Sequence, residues 1–442
     1  IKVIRPMSST SSSGKRMTGN IAILPDDVIL LIVGVDSLGA LELCRLAMSN
    51  ACFNRILSNN EEVWKESLLR SRNLNALGKE PSSWRIELIR RELWSRSWRH
   101  IACVGPLLPA RPANKKGPSS PSSCSSKHRL VGYCFSMLSR ITGLTGREQI
   151  PPCNVRRPPK TILVDQSYKV SAGCFDSIAN ALRSALPYDT IKVQPGRYVE
   201  QLLLDKHIEI VGAGLRGTTT IVGVDGPTVA ILSRVAARVA NVTIETREMV
   251  PQNVITQEDT EAVQPAVLVK NGGVLFLEEC RVSCHTGHGI VLQGKESFGY
   301  VIHNVVSRAK GVGVLICDNA KGVIEDNVIV SSDRAGVAIL SGADPVVCSN
   351  KIHDGTDSGV VISEKGRGRV EDNDIFNNQR AGVAILKGAS PLVKWNRIHD
   401  GMDSGVLICQ DGKGDVVEND IFSNKMTGVA IGRGGASRVT GN

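Results

Sequence analysis

The stretch AGVAILSGADPVVCSNKIHDGTDSG at residues 335–359 returns 46 residues later as AGVAILKGASPLVKWNRIHDGMDSG at residues 381–405. Working outward from it, a glycine followed by valine stands at Gly313, Gly336, Gly359, Gly382, Gly405 and Gly428, one every 23 residues. Three apolar columns keep the same step. Ile316, Ile339, Ile362, Ile385, Ile408 and Ile431 follow the glycine by three. Ile324, Val347, Val370, Val393, Val416 and Val439 follow it by eleven, and Ile329, Ile352, Ile375, Ile398 and Ile421 by sixteen. Each period therefore offers three short β-branched segments parted by Gly, Asp and Asn. These segments are too short and too branched for helical repeats, and the leucine columns of leucine-rich repeats are absent. The pattern predicts a right-handed parallel β-helix of 23-residue coils with a triangular section, clearest from about Ala266 to Asn442.

Asn327, Asn350, Asn373, Asn396, Asn419 and Asn442 form a further column, fourteen after each glycine. In a stack with an axial step of about 4.8 Å, inward amides can bond up and down the column, so they are read as a structural ladder. Cys280 falls in the same column. A zinc set of Cys280, Cys284, His285 and His288 is therefore set aside, because a tetrahedral site needs four ligands that converge. Upstream, Phe175, Ile178, Leu182 and Leu186 recur at helical spacing before Pro187 and predict a helix that caps the open end of the solenoid.

The net charge of +10 is an N-terminal property. Residues 1–170 carry 26 Lys and Arg against 12 Asp and Glu, and residues 171–442 carry 27 against 31. The basic residues are dispersed, so nucleic acid is not expected as a partner. The twelve cysteines include no CxxC, and no apolar run of some 20 residues or signal pattern is visible, which points to a reduced setting and no membrane span. The expected organisation is a disordered tail at 1–21, a helical region at 22–100, a Pro- and Ser-rich linker at 101–160, and the β-helix at 161–442. The chain opens on Ile1 and closes within a repeat unit, so the β-helix is expected to be truncated at its C-terminal end.

His353-Asp354 and His399-Asp400 are the residues that could carry acid–base chemistry. They recur every 46 residues, and sixteen of 23 positions agree between the coils from Gly336 and Gly382, so duplication of a two-coil unit is the simplest origin. Repetition favours turn residues, or a docking surface, over an active centre. From Ala266 onward the only aromatics are Phe276, Phe298, Tyr300, Phe376, Trp395 and Phe422, which is a poor supply for a glycan groove.

The N-terminal region begins a helix at Leu24-Pro25-Asp26-Asp27, with proline and two acids in its first turn. Val28 and Leu31 face a core, Leu41 belongs to a second helix, Phe53 marks a third, and Trp64 closes the unit. With Ser83-Trp84-Arg85, Pro195-Gly196-Arg197-Tyr198-Val199-Glu200 and the repeats, the sequence resembles the F-box proteins that carry pectin-lyase-like β-helix repeats. The resemblance implies a small all-α F-box module before an all-β right-handed parallel β-helix. It further implies the substrate-recognition subunit of an SCF-type cullin-RING ubiquitin ligase, in the cytoplasm or nucleus. Leu24, Pro25, Val28, Leu31, Leu41, Phe53 and Trp64 would bind the Skp-type adaptor, and the coils would bind an unidentified target protein. On this reading the chain has no catalytic residues, no metal and no cofactor. The alternatives are a polysaccharide lyase or epimerase, and a β-helix scaffold without a ligase link.

Overall fold

A computed structural model describes residues 159–167, 174–247 and 264–442. These residues form an all-β right-handed parallel solenoid of about 10 turns with one short helix. Three parallel sheets run the length of the axis, a sheet A of 13 strands and sheets B and C of 10 strands each. One coil illustrates the rest: Val337–Ile339 lies in sheet C, Val346–Cys348 in sheet A and Lys351–His353 in sheet B. Each of the three apolar columns occupies one sheet. Ile339 pairs with Ile362 in sheet C, Val347 with Val370 in sheet A, and Ile352 with Ile375 in sheet B. Strands of three residues suffice because every inward side chain meets its own kind one coil above and below.

The corners are made by residues with left-handed backbones. Ser349, Asp372 and Trp395 lie at φ of 57°, 55° and 58° where sheet A turns into sheet B. The next residue is in each case an asparagine of the ladder, Asn350, Asn373 or Asn396, all buried. Asn350 Oδ1 accepts from the backbone N–H of Asn327 at 3.0 Å and from its amide at 2.9 Å. Asn350 Nδ2 in turn donates to Ile324 O at 2.8 Å, Cys348 O at 3.0 Å and Asn373 Oδ1 at 3.0 Å. The polar group is thus satisfied without water inside an apolar stack. The column extends one coil before Asn327, to Asn304, whose Oδ1 accepts from the Cys280 backbone at 2.9 Å. The repeating glycine has a steric reason. A Cβ on Gly359 would sit 2.5 Å from Ile375 Cγ2 and 2.8 Å from the Gly382 carbonyl, so neighbouring coils can close only on glycine.

The capping helix is shorter than its spacing predicts. It spans Ile178–Ser184, because the Ser177 side chain accepts from Asn180 N and fixes the start, while Ala185 is extended and ends it. Phe175 instead belongs to the strand Cys174–Phe175, and Leu186 is exposed. The helix buries Ile178, Ala181 and Leu182 in one core with Val164, Ile191 and Val193. Both of its ends are closed by the first coil. The Glu200 carboxylate accepts from Ile178 N at 3.0 Å and Ala179 N at 2.7 Å, and Lys206 Nζ donates to Leu182 O at 3.0 Å. Each charge has the sign that the nearer helix end favours.

Replacing Asn373 with leucine should lower stability by about 1–3 kcal/mol, since it strands Val347 O, the Asn350 N–H and the amides above and below. A denaturant midpoint equal to wild type would mean that the ladder bonds contribute nothing net.

Candidate functional site

The outward positions of sheet B lie fifteen and seventeen residues after each glycine. In four successive coils they carry Lys351 and His353, Asp374 and Phe376, Arg397 and His399, and Asp420 and Phe422. The second position builds a stack of parallel rings. His353 and Phe376 have centroids 4.6 Å apart with an interplanar angle of 6°, Phe376 and His399 are 5.3 Å apart at 9°, and His399 and Phe422 are 4.7 Å apart at 7°. The two His-Asp pairs are therefore joined through Phe376. Counting aromatics in the sequence gave too poor a picture, because two of the few stand in one column with two imidazoles.

Within this row one cluster stands out. His399 Nδ1 lies 2.7 Å from Asp400 Oδ2, and His399 Nε2 lies 3.0 Å from Asp374 Oδ1. Arg397 Nη1 reaches the same Asp374 oxygen at 3.4 Å. Only an imidazolium carries the two N–H donors that satisfy both carboxylates at once. His353 has the first partner but not the second. Its Nδ1 meets Asp354 Oδ2 at 2.8 Å, but the coil before it presents Val328 where Asp374 stands below Arg397. Among the described residues, the imidazole between two carboxylates thus occurs once, although the His-Asp-Gly sequence occurs twice. The duplicated motif does not include Asp374, Phe376, Arg397 or Phe422, so sequence alone does not single them out. The signal that could have found them is the constant offset from the glycine.

The next residue along the chain is again left-handed, with φ of 57° at Asp354, 52° at Asn377 and 53° at Asp400. Asp and Asn tolerate this conformation better than other non-glycine residues. For Asp354, burial opposes ionisation, but hydrogen bonds from His353 and Asn377 outweigh it and hold the carboxyl below its ordinary range. The following position explains the two-coil period. Asn378 Oδ1 accepts from Gly355 N at 3.1 Å, and Asn424 Oδ1 accepts from Gly401 N at 3.0 Å. A Cβ on Gly355 would stand 3.0 Å from Asn378 Oδ1, and one on Gly401 2.9 Å from Asn424 Oδ1. Glycine in one coil makes room for asparagine in the next, so His-Asp-Gly alternates with Phe-Asn-Asn and Phe-Ser-Asn.

Elsewhere, Cys280 is buried at the head of the asparagine column, and burial pushes its thiol up to about 12, the opposite of what a thiolate ligand needs. His288 Nδ1 accepts from Val312 N at 2.9 Å. Leu24, Pro25, Val28, Leu31, Leu41, Phe53 and Trp64 lie outside the described residues.

Residues 215–346 and 288–442 match the family described as right handed beta helix region. Among solved structures, the chain is similar to the A-module of mannuronan C-5 epimerase AlgE4 of Azotobacter vinelandii. Identity is 18% over 56% of this chain and 72% of that one, with a TM-score of 0.45. It is also similar to the periplasmic alginate epimerase AlgG, at 14% identity over 57% and 76% with a TM-score of 0.40. A third likeness is to the pectin methylesterase PemA of Erwinia chrysanthemi, at 13% identity over 49% and 79% with a TM-score of 0.33. By name these neighbours are epimerases and a pectin methylesterase, so the expectation of a non-catalytic receptor subunit has no counterpart among them and is not upheld; at these identities the likeness itself shows the fold alone. The family match begins at residue 215, so the module from Leu24 to Trp64 has no share in it.

The glycine–asparagine alternation is open to a double-mutant cycle. Gly355→Ala should cost about 1–3 kcal/mol in wild type and clearly less in an Asn378→Ser background, measured by denaturant midpoints. Additive costs would separate the two positions and remove the explanation of the two-coil period.

Proposed function

We propose a function from one premise: the chain belongs to the right-handed β-helix family, matched over residues 215–442 by two overlapping segments. On that scaffold the Asp374–His399–Asp400 cluster is read as the acid–base centre of an enzyme acting on an acidic polysaccharide, of the lyase or epimerase class. The observation that carries this reading is the imidazole, single among the described residues, held by carboxylates on both nitrogens, on the outward face of a sheet that sets Arg397 between Asp374 and Asp420 and His399 between Phe376 and Phe422.

A uronate carboxylate would pair with the exposed Arg397, which already contacts Asp374 at 3.4 Å. Neutralising that carboxylate acidifies the proton on the adjacent ring carbon. With Asp374 drawn off to Arg397, the deprotonated Nε2 of His399 would be free to take this proton, and the electron pair would delocalise into the carboxylate beside Arg397. Asp400 would orient the ring through Nδ1, and Asp374 would stabilise the imidazolium once it has formed, as carboxylates do for catalytic histidines. Cleavage of the C–O bond on the next carbon, with the His399 imidazolium returning its proton to the departing glycosidic oxygen, makes an unsaturated end. Protonation of the same carbon by a water molecule on the opposite face, with His399 keeping the abstracted proton until it exchanges with solvent, inverts the centre instead.

The purified full chain, incubated with alginate, polygalacturonate and neutral glycans with and without calcium, should release unsaturated ends from, or epimerise, an acidic glycan only. His399→Ala should reduce turnover by at least about 10²-fold, and His353→Ala by much less. Equal losses from the two substitutions, or no turnover by wild type on any acidic glycan, would sink the reading.

A second reading concerns partners and rests on Leu24-Pro25-Asp26-Asp27 with Trp64. We infer from this motif that the N-terminal module docks a Skp-type adaptor, which would join the coils to a cullin-RING ligase and a target protein. It would place the chain in the cytoplasm or nucleus, whereas acidic polysaccharides are chiefly extracellular, so the two readings also divide by compartment. Combined Leu24→Ala and Pro25→Ala substitutions should lower adaptor recovery in a quantitative pull-down while the coils stay folded. Recovery equal to wild type, or none from wild type, would remove the ligase reading.

A further inference from the structure

The outer side of sheet C is apolar and has a two-coil rhythm of its own. Two residues after each glycine, six successive coils present Leu315, Ala338, Val361, Ala384, Leu407 and Ala430, paired in register, so that large and small side chains alternate along the axis. These residues are separate from the interior: Ala338 packs with Leu315, Leu340 and Val361 in a small cluster of its own. Leu315, Val361 and Leu407 keep part of their surface open to solvent. Charged turns flank the strip on both sides. Two residues before the glycine stand Arg334, Asp357, Arg380 and Asp403, in four successive coils, and five residues after it stand Asp318, Glu364, Lys387 and Arg433. Among the described residues the single helix packs elsewhere, on Thr161–Val164, Cys174–Phe175 and Thr190–Val193.

We infer that this face is self-complementary and joins two copies of the chain, sheet C against sheet C, with their solenoid axes antiparallel. The two-fold axis lies in the interface, parallel to the strands, between the coils of Gly359 and Gly382. Such an axis reverses the order of the coils and keeps each flank opposite itself. Every large side chain of the strip then meets a small one: Leu315 faces Ala430 of the second copy, Leu407 faces Ala338, and Val361 faces Ala384. The flanks match in sign. Arg334 meets Asp403 and Asp357 meets Arg380 on one side, and Asp318 meets Arg433 and Glu364 meets Lys387 on the other. The two pairs beside the axis are already joined within one copy, Arg380 to Asp357 and Lys387 to Glu364 at 3.7 Å each, so the dimer closes them into four-charge networks. Lys310 and Lys425, a like pair, stand one residue further out at the two ends of the face. The position of the axis is specific. Moving it half a coil sets Leu315 against Leu407 and Arg334 against Arg380. The pairs made by Asp318 and Glu364 do not follow from the two-coil duplication, yet the same axis satisfies both. Six coils by six residues make a face of about 29 Å by 20 Å, or about 1,200 Å² over both copies, at the lower end of specific interfaces.

Sedimentation equilibrium of the full chain should show a reversible monomer–dimer equilibrium between about 1 and 100 μM. Charge swaps then identify the surface. Arg334→Asp with Ala335→Ser copies the turn Asp357-Ser358, and Asp403→Arg with Ser404→Ala copies the turn Arg380-Ala381, so each swap uses a turn that the solenoid already contains. Either swap alone should leave the circular dichroism of the coils unchanged and weaken the dimer at least about tenfold, because it sets like charges against each other across the axis. The chain carrying both swaps should dimerise as wild type does, and an equimolar mixture of the two singly swapped chains should recover the dimer as a heterodimer. A wild type that stays monomeric throughout the range overturns the inference. So does a dimer that neither swap weakens, or one that neither the double swap nor the mixture restores.

Discussion

Each coil is tied to the next by one asparagine whose carbonyl oxygen takes two donors from the coil before it, while its amide reaches three carbonyls around it. Among the described residues, few other contacts bind backbone to side chain across the 23-residue step so consistently. The amide has a fixed length, so the ladder tolerates no slip of register: a shift of one residue would turn the polar group outward and an apolar one into its place. The β-branched columns add burial, but valine and isoleucine stack nearly as well in a neighbouring register. The asparagines make the coils discrete.

Everything on the outside inherits that register. His353, Phe376, His399 and Phe422 come from segments 23 residues apart, yet they form one stack because the ladder beneath them leaves no freedom in the axial step. The same constraint brings Asp374 under Arg397 and beside His399, residues that no local sequence motif would join. An imidazole clamped on both nitrogens is thus a product of stacking. The duplicated His-Asp-Gly turn supplies only half of it, and the intervening coil supplies the other half.

Much of the solenoid was legible because its physics is periodic. Val347 and Ile352 could be placed in their sheets by counting from Gly336 alone. Counting failed where the period is interrupted. Gly289 stands 24 residues before Gly313, so a count anchored on glycine does not lead to Asn304, although the asparagine column itself passes through it. The capping helix was overextended because Phe175 keeps helical spacing yet pairs as strand, a tertiary preference that spacing cannot express. The candidate site was only half legible. Duplication drew the eye to His353 and His399 equally, and the difference between them lies in Val328 and Asp374, one coil away in each case.

The discrete coil also sets how the molecule would respond to force. Every strand pairs only with the coils above and below it, so tension applied to the last coil loads one set of rungs at a time while the remainder stays stacked. Extension would then proceed as a staircase, each step freeing one 23-residue coil, or about 80 Å of contour length. The alternation of Gly355 with Asn378, and of Gly401 with Asn424, makes successive steps unequal in kind, because the two coil types close on one another through different corner contacts. The chain is in that sense a ratchet with two kinds of tooth.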